Sequence, residues 1–184
     1  MTISPPSDTR AVIERASVRE VLMGAQDNLT NVLAVMLGVS IGSGRADLVA
    51  LAGLSAAVAE SVSMGGVLYS STRAETALAA RTRGEGTEAS AERRMTLAPI
   101  QSGFVTFVAA LLGGLVPLAP FAVLPLPAAV PLSLAISIGA LFVLGSAIGR
   151  VSGAVWWRDG LRLLLVAGLA ASAAALIGAN FAVE

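Results

Sequence analysis

Long apolar stretches dominate the chain and are separated by short polar or proline-rich segments. A helix needs about 20 apolar residues to cross a hydrocarbon core of roughly 30 Å. Five stretches come close to that length or exceed it, at about residues 22–42, 48–71, 97–119, 128–150 and 160–181. The pattern predicts an all-α integral membrane protein in which residues 1–184 form a single domain of five transmembrane helices.

The first stretch is the least regular, because the polar run GAQDNLTN interrupts it and a hydropathy window scores it weakly. A short Gly-rich turn, GSGRAD, joins it to the second stretch and predicts an antiparallel helix hairpin. Five prolines between residues 117 and 131 separate the third and fourth stretches without adding a charge, which suits a membrane interface. The charged segment 73–94 predicts an extension of the second helix followed by a short helix.

The segment before the first stretch, DTRAVIERASVREVLMG, mixes Val, Ile and Ala with Arg and Glu. This pattern predicts an amphipathic helix that lies on the membrane surface and runs into the first span. Residues 1–20 lack the apolar core of a signal peptide, so the first span is expected to stay in the mature protein.

Composition agrees with a membrane protein, since 55% of residues are hydrophobic, 13% are charged and the mean hydropathy is +0.81. All twelve basic residues are arginine, and eleven of them form three clusters. The clusters are Arg10, Arg15 and Arg19; Arg73, Arg81, Arg83, Arg93 and Arg94; and Arg150, Arg158 and Arg162. With five spans these clusters share one face, which the positive-inside rule predicts to be cytoplasmic, with the N-terminus inside and Glu184 outside.

The absent residue types limit the chemistry. The chain has no Cys and no His, which excludes disulfides, thiolate metal sites and histidine proton shuttles. No nucleophile motif lies beside a base, so we expect no enzyme activity and assign no catalytic residue. Nucleic-acid binding is not expected either, because the arginines flank spans. Abundant Ala and Arg without Lys suggest a bacterial source with GC-rich coding, and therefore the plasma membrane.

Two acids fall inside predicted spans, Asp27 and Glu60. A carboxylate near the bilayer centre costs at least about 2.5–3.5 kcal/mol, so it usually faces a bundle interior or a wet cavity and marks an ion or proton path. Helical spacing places Met23, Thr30 and Asn31 on one stripe with Asp27, and Gln26 flanks Asp27. Met23, Gln26, Thr30 and Asn31 are therefore candidate pathway-lining residues. Two alternatives remain open: Asp27 is solvated at the cytoplasmic interface, and Glu60 pairs with an arginine.

Met64 follows Glu60 by four residues, so a thioether and a carboxylate project from one helix face. Oxygen ligands alone suit Mg²⁺ or Ca²⁺, whereas added sulfur favours first-row transition metals such as Fe²⁺ or Mn²⁺. Carboxylates release protons when they bind a cation, so metal affinity is linked to pH. We therefore predict a metal pathway through Asp27, Glu60 and Met64, with metal ions and protons as partners and no tightly bound cofactor.

Small residues recur at helical spacing at Gly38 and Gly42, and again at Gly145, Gly149 and Gly153. Such spacing lets helices approach closely, so we interpret these glycines as packing positions.

Three blocks, GAQDNLTN, AESVSMGGVLYSSTRAE and APIQSGFVTFVAALLGGLVPLAPF, resemble in order the motifs of the vacuolar iron transporter family. The resemblance covers all five spans. It implies a homodimer of five-helix subunits in the lipid bilayer that exports Fe²⁺, and often Mn²⁺, from the cytosol in exchange for protons. It also places Asp27 and Met64 on the metal pathway, with Glu60 matching an acid that often precedes the Ser-Met pair.

The chain departs from the family pattern at three points. Asn28 follows Asp27 where the family has Gly, and Leu68 replaces a family acid. The cytoplasmic segment, which in many members is a longer metal-gathering bundle, is short here. Its remaining candidate metal-gathering acids are Glu75, Glu85, Glu88 and Glu92. Arginine neighbours favour reading these acids as a solvated, salt-bridged face.

Two hypotheses follow. The first is a proton-coupled exporter of Fe²⁺ or Mn²⁺. The second is a membrane interaction or regulatory module that keeps the fold without transporting; the loss of an acid at Leu68 and the short segment favour it.

Overall fold

The computed structural model describes the backbone of residues 7–83 and 89–182, and the side chains of residues 18–79, 81 and 97–182. These ranges contain helices and no β-strand, so the predicted all-helical fold is confirmed for the described part of the chain. The α-helices are α1 (Ser7–Ser43), α2 (Ala46–Arg83), α3 (Ala89–Leu118), α4 (Leu126–Val151) and α5 (Trp156–Asn180). A short 3₁₀ helix, Ala119–Ala122, follows α3.

Four of the five helices are long and apolar enough to cross a membrane. Their apolar segments are Ala46–Ala79, Leu97–Ala122, Leu126–Val151 and Trp156–Asn180. Among the described residues α1 does not meet the same criterion, because the polar run from Gln26 to Asn31 lowers its hydropathy. Apolar side chains such as Leu165 and Leu169 of α5 are more than two-thirds exposed, as expected for contact with lipid. The helices indicate an integral membrane protein.

Helix α1 lies at the centre of the bundle and contacts the four other α-helices. Leu29 packs with Leu141 and Leu163 of α4 and α5, while Met36 packs with Val49 of α2. Neighbouring helices therefore cover much of α1 and bury its polar residues Asn28 and Thr30, whereas Asp27 and Asn31 remain exposed. The predicted amphipathic segment, residues 8–24, is helical and belongs to α1, which continues into span one. The side chains of residues 8–17 lie outside the described residues, so the amphipathic character of the segment stays a prediction.

Glycines bring α1 and α5 into close contact. A Cβ added to Gly38 would lie 2.9 Å from the carbonyl oxygen of Ala174, and one added to Gly42 would lie 3.1 Å from that of Gly178. A side chain would crowd the α5 backbone at both positions, which confirms their predicted packing role.

Gly145 and Gly149 act in the same way between α4 and α5. A Cβ at Gly145 would lie 2.9 Å from the carbonyl oxygen of Asp159, and one at Gly149 would lie 3.0 Å from the Cα of Trp156. The prediction for Gly153 is wrong, because α4 ends at Val151 and Gly153 lies in the following turn with φ +72° and open space around it. Its role is backbone conformation, since a left-handed φ favours glycine.

The α1–α2 connection is the predicted short turn, in which Gly44 has φ +61°. Beyond α2, the predicted extension of the helix is confirmed, because α2 continues to Arg83. The separate short helix predicted next is wrong: from Ala89 onward the chain belongs to α3, which continues through Pro99. The Ala-, Glu- and Arg-rich start of α3 favours helix, and one proline removes a single N–H donor. Residues 84–88 lie outside the described chain.

Candidate functional site

A buried asparagine links three helices near the middle of the bundle. The Asn28 side chain of α1 is fully buried, and its Nδ2 donates to the carbonyl oxygen of Ala57 at 3.0 Å, to Ser61 Oγ at 2.9 Å and to the carbonyl oxygen of Ala110 at 2.8 Å. Since an amide nitrogen has two hydrogens, one of them is shared between acceptors. These bonds connect α1 to both α2 and α3.

This link sets the relative depth of the two membrane acids. Asn28 lies fifteen residues before the end of α1 at Ser43, and Ser61 lies fifteen residues after the start of α2 at Ala46. Both are therefore about 22 Å along their helices from the α1–α2 turn. Asp27 directly precedes Asn28, and Glu60 directly precedes Ser61. Asp27 is therefore about 24 Å and Glu60 about 21 Å from the turn, so the two acids lie within about 3 Å of the same depth on adjacent antiparallel helices, a relationship that the sequence leaves open.

Met64 lies one helical turn nearer to the arginine-rich end of the bundle. Its Cε would be 3.5 Å from a Cβ added to Gly24, and Cγ2 of Thr106 would be 3.0 Å from the same position. Met64 is half-buried. Met64 of α2 and Thr106 of α3 thus both approach Gly24 of α1, and a side chain at position 24 would crowd Thr106 rather than the thioether.

Two buried oxygen atoms in this region have no hydrogen-bond partner among the described residues, Oδ1 of Asn28 and Oγ1 of Thr106. Both side chains are 0% exposed. Buried polar atoms are normally paired, so each is an acceptor available to a water molecule or a cation.

The predicted residues on α1 separate into two groups. Met23, Asp27 and Asn31 are exposed and recur every four residues, so they form one stripe on the outside of a single subunit. Thr30 is buried, and its Oγ1 donates to the carbonyl oxygen of Gln26 at 3.0 Å within the same helix. Gln26 is half-buried and lines a cavity between α1, α4 and α5.

On α2, Glu60, Met64 and Leu68 recur every four residues and form one line along the helix. Glu60 and Met64 are half-buried, whereas Leu68 is buried with 8% exposure. Burial of these side chains therefore increases along the line from Glu60 to Leu68, toward the arginine-rich end of α2. A carboxylate at position 68 would be enclosed by protein.

The four candidate metal-gathering acids are only partly described. Glu75 is exposed on α2, and its Oε1 accepts a hydrogen bond from Ser71 Oγ at 3.3 Å. Glu85 and Glu88 lie outside the described residues, and Glu92 belongs to α3 with its side chain undescribed. Within the described residues no group of three or more Asp, Glu, His or Cys side chains is placed to hold a metal ion.

Sequence reasoning noted Asn28 only as a departure from the family motif and missed Thr106. The signal for Asn28 was an amide within a span, matched by Ser61 in the next span and by the Gly113-Gly114 pair in the third. Small and polar residues that recur at matching depths indicate an interhelical hydrogen bond. Thr106 has no comparable signal, because threonine is common in membrane helices.

Comparison with known proteins agrees with these motifs. A sequence model of the VIT family matches two overlapping segments, residues 18–94 and 77–179, which together include the α1–α2 hairpin and most of the remaining helices. None of the curated proteins compared with the chain matches it. Because the matched segments cover well over half of its residues, the chain belongs to the VIT family, the vacuolar iron transporter family of membrane metal transporters.

Proposed function

We propose that the protein transports a divalent transition metal, Fe²⁺ or Mn²⁺, out of the cytosol in exchange for protons. Family membership supports metal transport across a membrane. The observation that carries the proposal is the hydrogen bond of 2.9 Å between Asn28 and Ser61, because it brings Asp27 and Glu60 to within about 3 Å of the same depth. Two carboxylates at one level of adjacent helices form the smallest arrangement that can exchange a divalent cation for protons.

The three predicted residues take different roles. Asp27 and Glu60 alternate between binding the metal and binding protons, which couples the two fluxes. Met64, one turn away, adds a soft sulfur ligand that favours Fe²⁺ and Mn²⁺ over Mg²⁺. The unpartnered oxygens of Asn28 and Thr106 add neutral ligands or hold water beside Met64.

The stripe formed by Met23, Asp27 and Asn31 supports a homodimer. In a single subunit these side chains are exposed, and a carboxylate facing lipid costs at least about 2.5–3.5 kcal/mol. A second copy seated on α1 and α2 covers the stripe and brings two further carboxylates to the same depth. The absence of a three-acid cluster within the described part of one chain fits a site completed by the partner.

A non-transporting membrane module is the second candidate. Leu68, buried on the same line as Glu60 and Met64, occupies the position of a family acid and removes one ligand from that line. This protein would then keep the bundle and bind metal weakly or not at all.

Transport by purified protein in proteoliposomes separates the two candidates. Vesicles with a pH-sensitive dye inside are supplied in turn with Fe²⁺, Mn²⁺ and Mg²⁺, with and without an opposing proton gradient. The transporter moves Fe²⁺ or Mn²⁺ faster than empty vesicles do, accelerates with the gradient and moves protons in the opposite direction. Folded protein that gives no metal flux above empty vesicles favours the second candidate.

A further inference from the structure

A polar cavity lies between α1, α4 and α5. Its volume is about 320 Å³, and its polar lining comes from Arg19, Gln26, Ser152, Asp159 and Arg162. The ion pair found among the described residues joins Arg45 and Asp47 at the other end of the molecule. Arg19, Arg162 and Asp159 therefore line one cavity without forming an ion pair with each other.

The charges of this cavity favour an anion. Two guanidinium groups face one carboxylate, and Oδ2 of Asp159 is directed toward α4, where it would lie 2.9 Å from a Cβ added to Gly149. The Gln26 amide and the Ser152 hydroxyl add neutral hydrogen-bond donors. A net positive cavity repels Fe²⁺ and Mn²⁺, whereas guanidinium groups bind phosphate oxygens in a bidentate manner.

The position of the cavity favours a lipid as the source of that anion. Trp156 and Trp157 begin α5 and are each nearly half exposed, as expected for aromatic residues at a membrane–water interface. The guanidinium carbon of Arg150 lies 5.1 Å from the centroid of the Trp156 ring, and that of Arg158 lies 5.3 Å from the centroid of the Trp157 ring. Arg162 lies six residues after Trp156 on α5, about 9 Å deeper in the membrane than that residue.

The apolar part of the lining completes the match. Met23, Ile148 and Val166 line the same cavity, and Val166 lies one turn beyond Arg162, further into the membrane. A ligand with a phosphate group at the two arginines and a hydrocarbon chain along the apolar side chains would match both the charged and the apolar parts of the lining. Basic pockets between transmembrane helices bind anionic lipid headgroups in this way.

We propose that the cavity between α1, α4 and α5 binds an anionic phospholipid of the arginine-rich leaflet, with its phosphate at Arg19 and Arg162. The bound lipid connects the central helix α1 to the α4–α5 pair at the membrane surface. Lipid binding at this site is tested without metal, through the two arginines.

Native mass spectrometry of detergent-purified protein measures the proposal directly. Phosphatidylglycerol and phosphatidylcholine with identical acyl chains are titrated separately, and inorganic phosphate is a third probe. We expect one phosphatidylglycerol to bind per chain at least tenfold more tightly than phosphatidylcholine. Arg19→Gln and Arg162→Gln should each weaken it about fivefold, and Arg162→Lys should weaken it less than Arg162→Gln.

The matched control is Arg158→Gln, because Arg158 lies on the same face but stacks on Trp157 instead of lining the cavity. Retention of binding within twofold in this variant supports the site, whereas an equal loss overturns it in favour of general surface charge. Equal binding of phosphatidylcholine also overturns the proposal. Displacement of the bound lipid by inorganic phosphate would contradict the proposal that the phosphate group belongs to a lipid. Thermal midpoints without lipid establish that each variant is folded, and Arg19→Gln provides an independent test if Arg162→Gln does not fold.

Discussion

Gly114 of α3 leaves the space that the Asn28 amide of α1 occupies. A Cβ at position 114 would lie 2.8 Å from Asn28 Nδ2 and 2.9 Å from its Cγ. The hydrogen bonds of Asn28 to α2 and α3 therefore depend on the absence of a side chain at position 114 of α3. The same contact between α1, α2 and α3 holds Asp27 and Glu60 at similar depths. Loss of the contact should therefore change both the free energy of unfolding and the rate of transport.

Replacing Asn28 by alanine should lower the free energy of unfolding by about 1–3 kcal/mol, because it leaves three interhelical acceptors without their donor. Unfolding in mixed detergent micelles with increasing SDS measures the loss. The matched control is Asn180→Ala, since Asn180 is exposed and donates only to the Leu176 carbonyl oxygen of its own helix. We expect a change below about 0.5 kcal/mol there. Equal losses in both variants would contradict the central role of Asn28.

Gly114→Ala should destabilise the bundle by about 1–3 kcal/mol through overpacking against the amide. Gly66→Ala, at a helical position with open space around it, should instead stabilise by about 0.5–1 kcal/mol. In a double-mutant cycle, Asn28→Ala should relieve part of the cost of Gly114→Ala, because it removes the atoms that the new methyl group meets. Additive effects would show that the two residues do not compete for the same space.

The stability of the bundle should fall when one methyl group is added at the contact between α1 and α5. A Cβ at Gly178 would overlap the Gly38 carbonyl, while one at Gly168 of the same helix meets nothing within 4 Å. Gly178→Ala should therefore lose about 1–3 kcal/mol, and Gly168→Ala should not lose stability. The same unfolding assay measures both, and equal values would argue against a tight α1–α5 contact.

Transport should depend on the α2 line of side chains. Met64→Leu should lower the initial rate of Fe²⁺ or Mn²⁺ transport at least about tenfold, equivalent to about 1.4 kcal/mol, because leucine keeps the volume but removes the sulfur ligand. Met36→Leu is the matched control, since Met36 is buried in the apolar cluster with Val49. Glu60→Gln should abolish proton coupling, and Asp47→Asn, at the opposite end beside Arg45, should not. Wild-type rates in Met64→Leu and Glu60→Gln would remove both residues from the mechanism.

The proposed dimer can be tested by cross-linking, because the chain contains no cysteine. Val35 is 37% exposed and lies two turns from Asp27 on the same face of α1. Val35→Cys should form disulfide-linked dimers when membranes are oxidised. Leu169→Cys, on the exposed face of α5, should remain monomeric under the same conditions. Cross-linking through position 169 but not 35 would place the interface elsewhere.

Apolar length was sufficient to predict α2 to α5, because each is bounded by prolines, glycines or charges. For α1 it was not: its polar run reads as a weak span, and only the surrounding helices show why Asn28 is tolerated. The depth of Asp27 relative to Glu60 could not be predicted, since it depends on a hydrogen bond between residues 33 positions apart. Gly153 was misassigned because periodicity alone does not show that α4 ends at Val151.

The unbroken length of α2 has a mechanical consequence. From Glu60 to Arg83 the helix continues without interruption, a distance of about 35 Å. A rigid tilt of about 10° at the level of the acids would displace the far end by roughly 6 Å. The arginine-rich end of α2 thus acts as a lever, and a label placed there reports small movements at Glu60 that are too small to follow directly.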